Sequence, residues 1–519
     1  MKNWSRSILF LLWLSYTVIL GALYSRLPPS PDNSVYDYIG WIISQGGTLY
    51  IDAADQNWPG IMLVHTLPTL LFGNTIWSFR LFDYLFLLGT CALLFVFIRR
   101  YWGTLAGLLV VPIYQAMYVS ENIWFAGQRD IVVTPLLIGA AFSLLLRIET
   151  NRLIWCIVQG VCLALATFIR PTLLLLTLLL AVGDIILMRQ TRRNIKVIVF
   201  DHAIAGLSLL ALLAILTLIG WQTGALQEWY NVAIRYNLEV YGQDSTSLIG
   251  IVTRLSNYAL KSWFWYIALS ILGILIHWRT KPQPTVFLLA ILVNTIASAI
   301  VQGKGFEYHL GAILPLLAIF MAPLVATCVQ NLFKRPSKPI KTLLAGLVCC
   351  LVILGLAKKI SNNLNLQIQW YLGKVSTQEM LANYPAGDAL NLAQAVELSA
   401  YVKQTVPEDR TVLYWGRPMV INYLSGRRSP SRFASFALLD QPRESFSLFK
   451  VWEDELKNDL INTPPELIFV EPNVNGEGYQ NMPSEKKEAR LSNVVLDAIA
   501  TRYELDKKFG VVDAYRIKR

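Results

Sequence analysis

A cluster of four aspartates near the start of the chain is the part of the sequence best suited to chemistry. They are Asp32, Asp37, Asp52 and Asp55, and aromatic residues lie between them. Ionisable residues gathered beside membrane-spanning segments are typical of functional sites. Asp32 taken alone has a structural alternative, because it could cap a helix that we predict from about residue 34 to residue 44. The grouping with aromatic residues favours a binding or catalytic site.

The apolar composition of the chain shows what must position these acids. Of 519 residues, 55% are hydrophobic and only 15% are charged, which leaves too little polar surface for a soluble protein of this length. The apolar residues form a series of blocks suited to crossing a bilayer as helices. The net charge of +11 comes from Lys and Arg clusters in every second loop, as the positive-inside rule predicts. We therefore predict a membrane protein without a nucleic-acid partner.

The blocks predict a polytopic α-helical membrane protein with about eleven transmembrane helices and a C-terminal soluble α/β domain. The predicted spans lie near residues 7–24, 82–98, 103–119, 131–146, 153–169, 172–188, 198–221, 262–278, 286–302, 310–330 and 341–357. The transmembrane domain is predicted over residues 1–357 and the soluble domain over residues 358–519. With a cytoplasmic N-terminus, an odd number of crossings leaves the soluble domain outside the cytoplasm.

Within the predicted soluble domain, helical and strand patterns alternate. Residues 392–405 have the pattern of a helix, and residues 411–415 and 466–470 have that of buried strands. The apolar residues 61–72 in the first outer loop are too few to cross the membrane, so we predict an interfacial helix.

Several common chemistries have no support in the sequence. The six cysteines all lie in apolar blocks and none lies in the predicted soluble domain, so neither a zinc site nor a disulfide framework is predicted. The chain contains no GxxxxGK[ST], no GxGxxG after a strand and no HExxH. ATP-driven transport and nicotinamide chemistry therefore lack positive evidence.

The order of residues in the first outer loop is distinctive. Asp32-Asn33-Ser34-Val35-Tyr36-Asp37-Tyr38-Ile39-Gly40 is followed by Gly46-Gly47 and by the segment from Tyr50 through Asp52 and Asp55 to Pro59. This pattern resembles the loop of GT-C glycosyltransferases, in the bacterial branch related to protein O-mannosyltransferases and the lipid A aminoarabinose transferase. The resemblance extends to Phe72-Gly73, Arg80-Leu81, Arg99-Arg100, Arg129-Asp130, residues 302–309, 412–416, 423–428 and 431–433.

The resemblance implies transfer of a sugar from a polyprenyl-phosphate donor to a glycan, lipid or protein acceptor, among the lipids of the bacterial cytoplasmic membrane and at its outer face. In that family the acid matching Asp32 is the catalytic base. It would take the proton of the acceptor hydroxyl as the anomeric carbon is attacked with inversion. Asp130 matches the second acid of the family, which orients the acceptor or holds a cation. No cofactor is implied with certainty, and a divalent cation stays open.

The resemblance also implies substrate-binding residues, and one of them departs from the family pattern. They are Tyr36, Asp52, Asp55, Asn57, Arg129, Lys304, Tyr308 and His309. Relatives carry a lysine where Asn57 stands, so other groups must neutralise the leaving phosphate. Lys304, His309, Arg170 or Arg235 could supply this charge. We prefer Lys304 and His309, because both lie at the outer end of a predicted span.

Each of these assignments has a structural alternative. Asp130 could pair with Arg129 or be a helix-start acid favoured by the dipole, and His309 could pack at the membrane interface. For Arg170 and Arg235, snorkelling or a solvated loop is the better explanation.

Two other functions stay open at this stage. A transporter or flippase of a lipid-linked glycan would place charges near the bilayer midplane, often in repeated halves, whereas these charges crowd one surface. A catalytically degenerate relative acting as a membrane scaffold is kept open by Asn57. The sequence leaves the sugar and the acceptor unspecified.

Overall fold

The computed structural model describes residues 3–244, 246–333, 339–387, 390–433, 438–439, 446–470, 493–510 and 512–518. Most of the described chain is helical. The helices are α1 (Asn3–Tyr24), α2 (Pro31–Ser44), α3 (Pro59–Phe72), α4 (Ser78–Trp102), α5 (Thr104–Val119), α6 (Arg129–Val132), α7 (Thr134–Thr150), α8 (Ile154–Ile169), α9 (Leu175–Ile186), α10 (Met188–Thr191), α11 (Ile195–Gln222), α12 (Leu226–Trp229), α13 (Tyr236–Glu239), α14 (Leu248–His277), α15 (Pro282–Val301), α16 (Ile313–Phe333), α17 (Pro339–Asn363), α18 (Asn365–Tyr371), α19 (Thr377–Ala382), α20 (Leu392–Thr405), α21 (Val420–Ser425), α22 (Phe449–Asn462) and α23 (Asn493–Arg502). Short 3₁₀ turns cover Pro171–Leu174, Tyr241–Asp244 and Glu307–Leu310, and a π-helical turn covers Tyr230–Arg235.

The prediction of a helical membrane protein is confirmed. Every predicted span overlaps a helix or a pair of consecutive helices. Seven described helical segments are long and apolar enough to cross a bilayer: Ser78–Trp102, Arg129–Thr150, Ile195–Gln222, Leu248–His277, Pro282–Val301, Ile313–Leu332 and Pro339–Asn363. The remaining predicted spans fall on shorter apolar helices, so the count of about eleven crossings stays a prediction.

The chain divides into two compact units. The first unit consists of Met1–Arg26, Asp83–Thr217 and Ser245–Ile368, and the second of Leu27–Phe82, Leu218–Asp244 and Gln369–Arg519. Two internal segments thus belong with the C-terminal region. The boundary predicted after residue 357 stays a prediction about the linear order of the chain.

Helix α16 is the most buried of the long helices in the first unit. It packs against α5, α14 and α17. At the contact with α14, a Cβ added to Gly273 would come within 2.1 Å of the Phe320 carbonyl oxygen. Glycine is therefore required for this close approach of two backbones.

A four-stranded sheet lies in the second unit. Its strands are β1 (Val412–Trp415), β2 (Leu467–Val470), β3 (Tyr503–Phe509) and β4 (Val512–Ile517), in the order β1-β2-β4-β3. The pair β1–β2 is parallel, while β2–β4 and β3–β4 are antiparallel. The predicted helix over 392–405 and the two predicted strands are confirmed, and with them the α/β character of this region. The β3–β4 hairpin was not predicted.

The first loop also folds within the second unit. Helix α2 packs on α3, and a Cβ on Gly40 would lie 2.5 Å from the His65 carbonyl. Helix α21 packs on α2. The Tyr423 hydroxyl lies 3.2 Å from Thr69 Oγ1, and Asn74 donates to the Tyr423 carbonyl at 2.8 Å. The segment carrying the four aspartates is thus held against the C-terminal region.

Candidate functional site

Asp32 lies in the first turn of α2, which begins three residues earlier than predicted. Ser30 is the N-cap, and its hydroxyl accepts a hydrogen bond from the Asn33 amide at 3.2 Å. Pro31 occupies the first helical position, where a missing amide hydrogen carries no penalty. The structural alternative for Asp32 is therefore wrong, because Ser30 performs the capping. Asp32 itself is half-buried.

Three other predicted site residues form a buried hydrogen-bonded network. The Asn57 side-chain amide donates to the Tyr36 hydroxyl at 3.1 Å and to Asp55 Oδ1 at 2.5 Å. The Asn57 backbone amide donates to the same Asp55 oxygen at 2.9 Å. Tyr36 lies one helical turn after Asp32, so both residues lie on the same face of α2. The structure thus brings Tyr36, Asp55 and Asn57 together beside the helix face of Asp32.

Asp52 has a different environment from these residues. Its side chain is exposed, and Oδ2 accepts a hydrogen bond from the Thr48 amide at 2.5 Å. The turn is tight, because Tyr50 adopts a left-handed conformation with φ of 68° and its amide bonds to the Ala53 carbonyl. Asp52 closes this turn, whereas Asp55 lies in the buried network.

A buried acid–imidazole pair on α2 and α3 was missed by the sequence reasoning. His65 Nδ1 lies 2.7 Å from Asp37 Oδ1, and both side chains are almost fully buried. The His65 ring stacks on Phe79 with centroids 4.1 Å apart and meets the Tyr36 ring edge-on at 5.2 Å. Asp37 was recognised only as one of four acids. Because His65 lies in an apolar helix 28 residues away, no local pattern pointed to it.

The second predicted acid lies in the first unit. Asp130 is buried at the start of α6 and forms an ion pair with Arg170, which lies between α8 and the following 3₁₀ turn. Arg170 Nε also donates to the Ser298 hydroxyl at 3.1 Å. Sequence reasoning assigned Arg170 to snorkelling or a solvated loop; with 2% of its surface exposed, that assignment is wrong. The partner of Asp130 is Arg170, not the neighbouring Arg129.

The remaining predicted residues of the first unit lie around this ion pair or in the adjoining turn. Arg129 is half-buried, and burial together with Arg170 and Arg129 lowers the pKa of His309 well below its usual range. The Tyr308 and His309 rings meet edge-on at 4.9 Å. Lys304 is half-buried in the turn between α15 and the 3₁₀ turn that carries Tyr308 and His309. Arg129, Asp130, Tyr308 and His309 thus share one polar region.

Arg235 has the surface role that the sequence favoured. It is half-exposed and pairs with Glu239 at 2.8 Å, and its guanidinium lies 5.8 Å from the Phe446 ring centroid. A helical ion pair at this spacing is a common surface feature.

Glu121 is a further buried acid that sequence reasoning did not single out. It lies just after α5 and accepts hydrogen bonds from the Tyr258 hydroxyl at 2.8 Å and from Trp263 Nε1 at 2.9 Å. Lys359 pairs with it as well. These contacts join α14 and α17 to the end of α5. Among the residues that the structure describes, no group of three or more His, Cys, Asp or Glu side chains is arranged to hold a metal ion.

Comparison with known proteins gives a consistent result. A family model described as dolichyl-phosphate-mannose-protein mannosyltransferase matches residues 57–221, which is less than half of the chain. No curated protein matches the chain in sequence.

Solved structures match over nearly the whole chain. ArnT from Cupriavidus metallidurans in the apo state is 12% identical with a TM-score of 0.59, covering 98% of each chain. The same protein bound to undecaprenyl phosphate is 11% identical with a TM-score of 0.56, covering 98% of this chain and 97% of that chain. The archaeal oligosaccharyltransferase AglB from Archaeoglobus fulgidus, in complex with an inhibitory peptide and a dolichol-phosphate, is 10% identical with a TM-score of 0.50, covering 98% and 74%. The chain therefore has the fold of the GT-C superfamily of membrane glycosyltransferases, as the sequence resemblance predicted.

Proposed function

We propose that the protein transfers a sugar from a polyprenyl-phosphate donor to an acceptor at the outer face of the bacterial cytoplasmic membrane. The GT-C fold and the mannosyltransferase family model support sugar transfer. The similar structures that carry undecaprenyl phosphate or dolichol-phosphate support a lipid-linked donor. The placement of Lys and Arg in alternate loops supports a cytoplasmic N-terminus and an extracytoplasmic C-terminal region.

The observation that carries this proposal is the environment of Asp32. Ser30 caps α2, so capping does not account for a half-buried carboxylate at this position. Beside its helix face lies the network of Tyr36, Asp55 and Asn57. A carboxylate within hydrogen-bond reach of an acceptor hydroxyl can take its proton during the transfer. We assign Asp32 as the general base.

The reaction is an inverting displacement. The acceptor oxygen attacks the anomeric carbon, and the bond from that carbon to the phosphate oxygen breaks with its electron pair leaving on the phosphate. Asp32 takes the proton of the acceptor hydroxyl. The products are the glycosylated acceptor and the free polyprenyl phosphate, so no nucleotide or redox partner is needed.

We assign Lys304, Tyr308 and His309 to the donor phosphate. A buried imidazole whose pKa is lowered stays neutral near pH 7, so His309 donates a hydrogen bond and the positive charge comes from Lys304 and Arg129. Asp130 assists by fixing the guanidinium of Arg170. Preorganised donors of this kind stabilise the charge that develops on a leaving phosphate.

Asn57 has a structural role in the proposed site. Its amide is occupied by Tyr36 and Asp55, so it shapes the loop and leaves the phosphate to other residues. Asp55 lines the site through this network, and Asp52 lines it from the exposed turn.

The test is transfer of label from polyprenyl-phosphate sugars to lipid, glycan and protein extracts by the purified protein. Asp32→Asn should lower the rate by about 10²- to 10⁴-fold, the usual contribution of a general base, while donor binding and thermal unfolding stay unchanged. Asp454→Asn is the matched control, because this exposed acid on α22 pairs only with Lys450 among the described residues. Near-normal transfer by Asp32→Asn would disprove the base assignment. Donor crossing a vesicle bilayer without transfer would favour a flippase instead.

A further inference from the structure

A polar pocket in the second unit plays no part in the chemistry proposed for Asp32. Its volume is about 510 Å³, which lies within the roughly 300–1,000 Å³ of small-molecule sites. One wall comes from the end of α2, where Trp41 and Gln45 lie, and from Asn74 after α3. The other walls come from the end of α20, from the segment between α20 and β1, and from the end of α21 with the turn that follows it.

The pocket combines an apolar ring with groups that donate and accept hydrogen bonds. Trp41 presents an indole, and Gln45 and Asn74 present amides that can both donate and accept. Thr411 adds a hydroxyl that is buried and lacks a hydrogen-bond partner within the described part of the chain. Rings of apolar CH groups edged with hydroxyls have the complementary surface, and sugars are such rings.

The charges in the walls are mixed but mainly positive. Lys403, Arg410 and Arg428 have exposed side chains, as do Glu408 and Asp409. Three solvent-accessible cations therefore face two acids. Exposed charges of one sign in a concave surface attract a ligand of the opposite sign.

A fourth cation in the wall has a structural role. Arg427 is buried, and its guanidinium donates to the Val406 carbonyl at 3.1 and 2.8 Å and to the Ser425 carbonyl at 3.0 Å. These carbonyls end α20 and α21, where unpaired acceptors need donors. Arg427 thus shapes the pocket and adds positive charge to it, while Arg428 contacts the Gln45 carbonyl at 3.4 Å and joins two walls.

We propose that this pocket binds an acidic oligosaccharide, one whose sugar rings carry a carboxylate or phosphate group. Trp41 and the amides would contact the sugar ring, and Lys403, Arg410 and Arg428 would contact the anionic group. The glycan is taken as part of the acceptor, an assignment that rests on the proposed function. Binding itself needs neither a donor nor turnover, so the pocket can be tested separately.

The test compares two disaccharides that differ only in charge. Cellobiouronic acid carries a carboxylate where cellobiose carries a hydroxymethyl group. Saturation-transfer NMR on the purified full chain measures the affinity for each, in the presence of low and high salt. The variant Lys403→Glu/Arg410→Glu reverses two exposed cations, and Lys450→Glu on α22 reverses an exposed cation outside the pocket.

We expect cellobiouronic acid to bind more tightly than cellobiose and to weaken at high salt. The double reversal should weaken its binding by at least about tenfold, because both cations become repulsive, while Lys450→Glu has no effect. The proposal is overturned if the acid binds no better than cellobiose, if neither sugar binds, or if the double reversal leaves affinity unchanged. Asp32→Asn should bind the acid normally. If the unaltered protein binds the acid but transfers no sugar, only the proposed function is contradicted.

Discussion

Replacement of Arg432 by alanine should destabilise the second unit more than any surface change. Arg432 has 7% of its surface exposed. Its guanidinium donates to the Tyr50 carbonyl at 2.9 Å, to Glu455 Oε2 at 2.8 Å and to Glu228. Its own carbonyl accepts a hydrogen bond from the Ala54 amide at 3.0 Å. One side chain thus joins the aspartate-bearing loop, α12 and α22.

The size of the effect follows from the burial of the partners. Removing one member of a fully buried ion pair costs about 3–5 kcal/mol. Here the side chains of Glu228 and Glu455 are 27% and 36% exposed, so water recovers part of the loss and we expect about 2–3 kcal/mol. For a domain of this size that is roughly 5–10 °C in the unfolding midpoint. Thermal unfolding of the purified protein measures it, with Lys450→Ala as the exposed control.

The pH dependence of the loss gives a second, independent check. Burial raises the pKa of Glu455, and Arg432 acts to lower it, so removing Arg432 raises this pKa further. A carboxyl group whose pKa is higher in the folded chain than in the unfolded chain binds protons on folding. The Arg432→Ala variant therefore gains stability as pH falls through the folded-state pKa of Glu455. The deficit of Arg432→Ala should therefore shrink as pH falls towards about 4.3, the ordinary pKa of glutamate. A deficit no larger than that of Lys450→Ala, or one independent of pH, would refute this account.

Three further outcomes are expected. Gly40→Ala should destabilise the protein by about 1–3 kcal/mol, because the new Cβ meets the α3 backbone at 2.5 Å. Gly89→Ala is the control and should cost nothing, because the space around Gly89 is open. Equal unfolding midpoints for the two variants would contradict the close contact between α2 and α3. Glu121→Gln should lower the unfolding midpoint, because Lys359 loses its buried carboxylate partner. The expected loss of stability is about 2–4 kcal/mol, and a wild-type midpoint would count against this ion pair. Because the pKa of His309 is lowered in the folded chain, the unfolded chain binds the proton first, and stability falls as pH drops below about 6.5. His309→Gln should make stability less dependent on pH in this range. An unchanged pH profile would contradict the buried, neutral state of His309.

Local patterns were sufficient to predict most of the helices and two of the strands. Apolar length predicted the membrane segments, and α20 has the predicted bounds because Asn391 and Gln394 form a capping box at its start. The start of α2 was placed too late because Pro31 and Ser30 act together as first helical residue and cap. The β3–β4 hairpin was not predicted, because most of β3 is exposed and its sequence therefore lacks the apolar run of a buried strand.

The candidate site was predictable only in part, because pairing between distant residues leaves no local signal. The loop pattern singled out Tyr36, Asp55 and Asn57, which the structure places in contact. It gave no indication that Asp130 would pair with Arg170, forty residues later in the chain. An arginine followed by proline between two short apolar helices was the available signal, since a charge held there needs a buried partner.

The C-terminal region has a direct part in shaping the loop that carries Asp32. The Ser429 amide donates a hydrogen bond to the Tyr38 hydroxyl at 2.8 Å. Tyr38 lies on α2, about 1.7 turns beyond Asp32. Arg432 holds Tyr50 and Ala54 on the approach to Asp55. The Arg432 contacts use backbone groups of the loop, so substitutions of the Tyr50 and Ala54 side chains leave them in place, whereas the Ser429 contact depends on the Tyr38 hydroxyl. Substitutions of residues 429–432 should therefore alter the geometry around Asp32 while all the aspartates of the loop are kept. The C-terminal region thus contributes to the geometry of the proposed site.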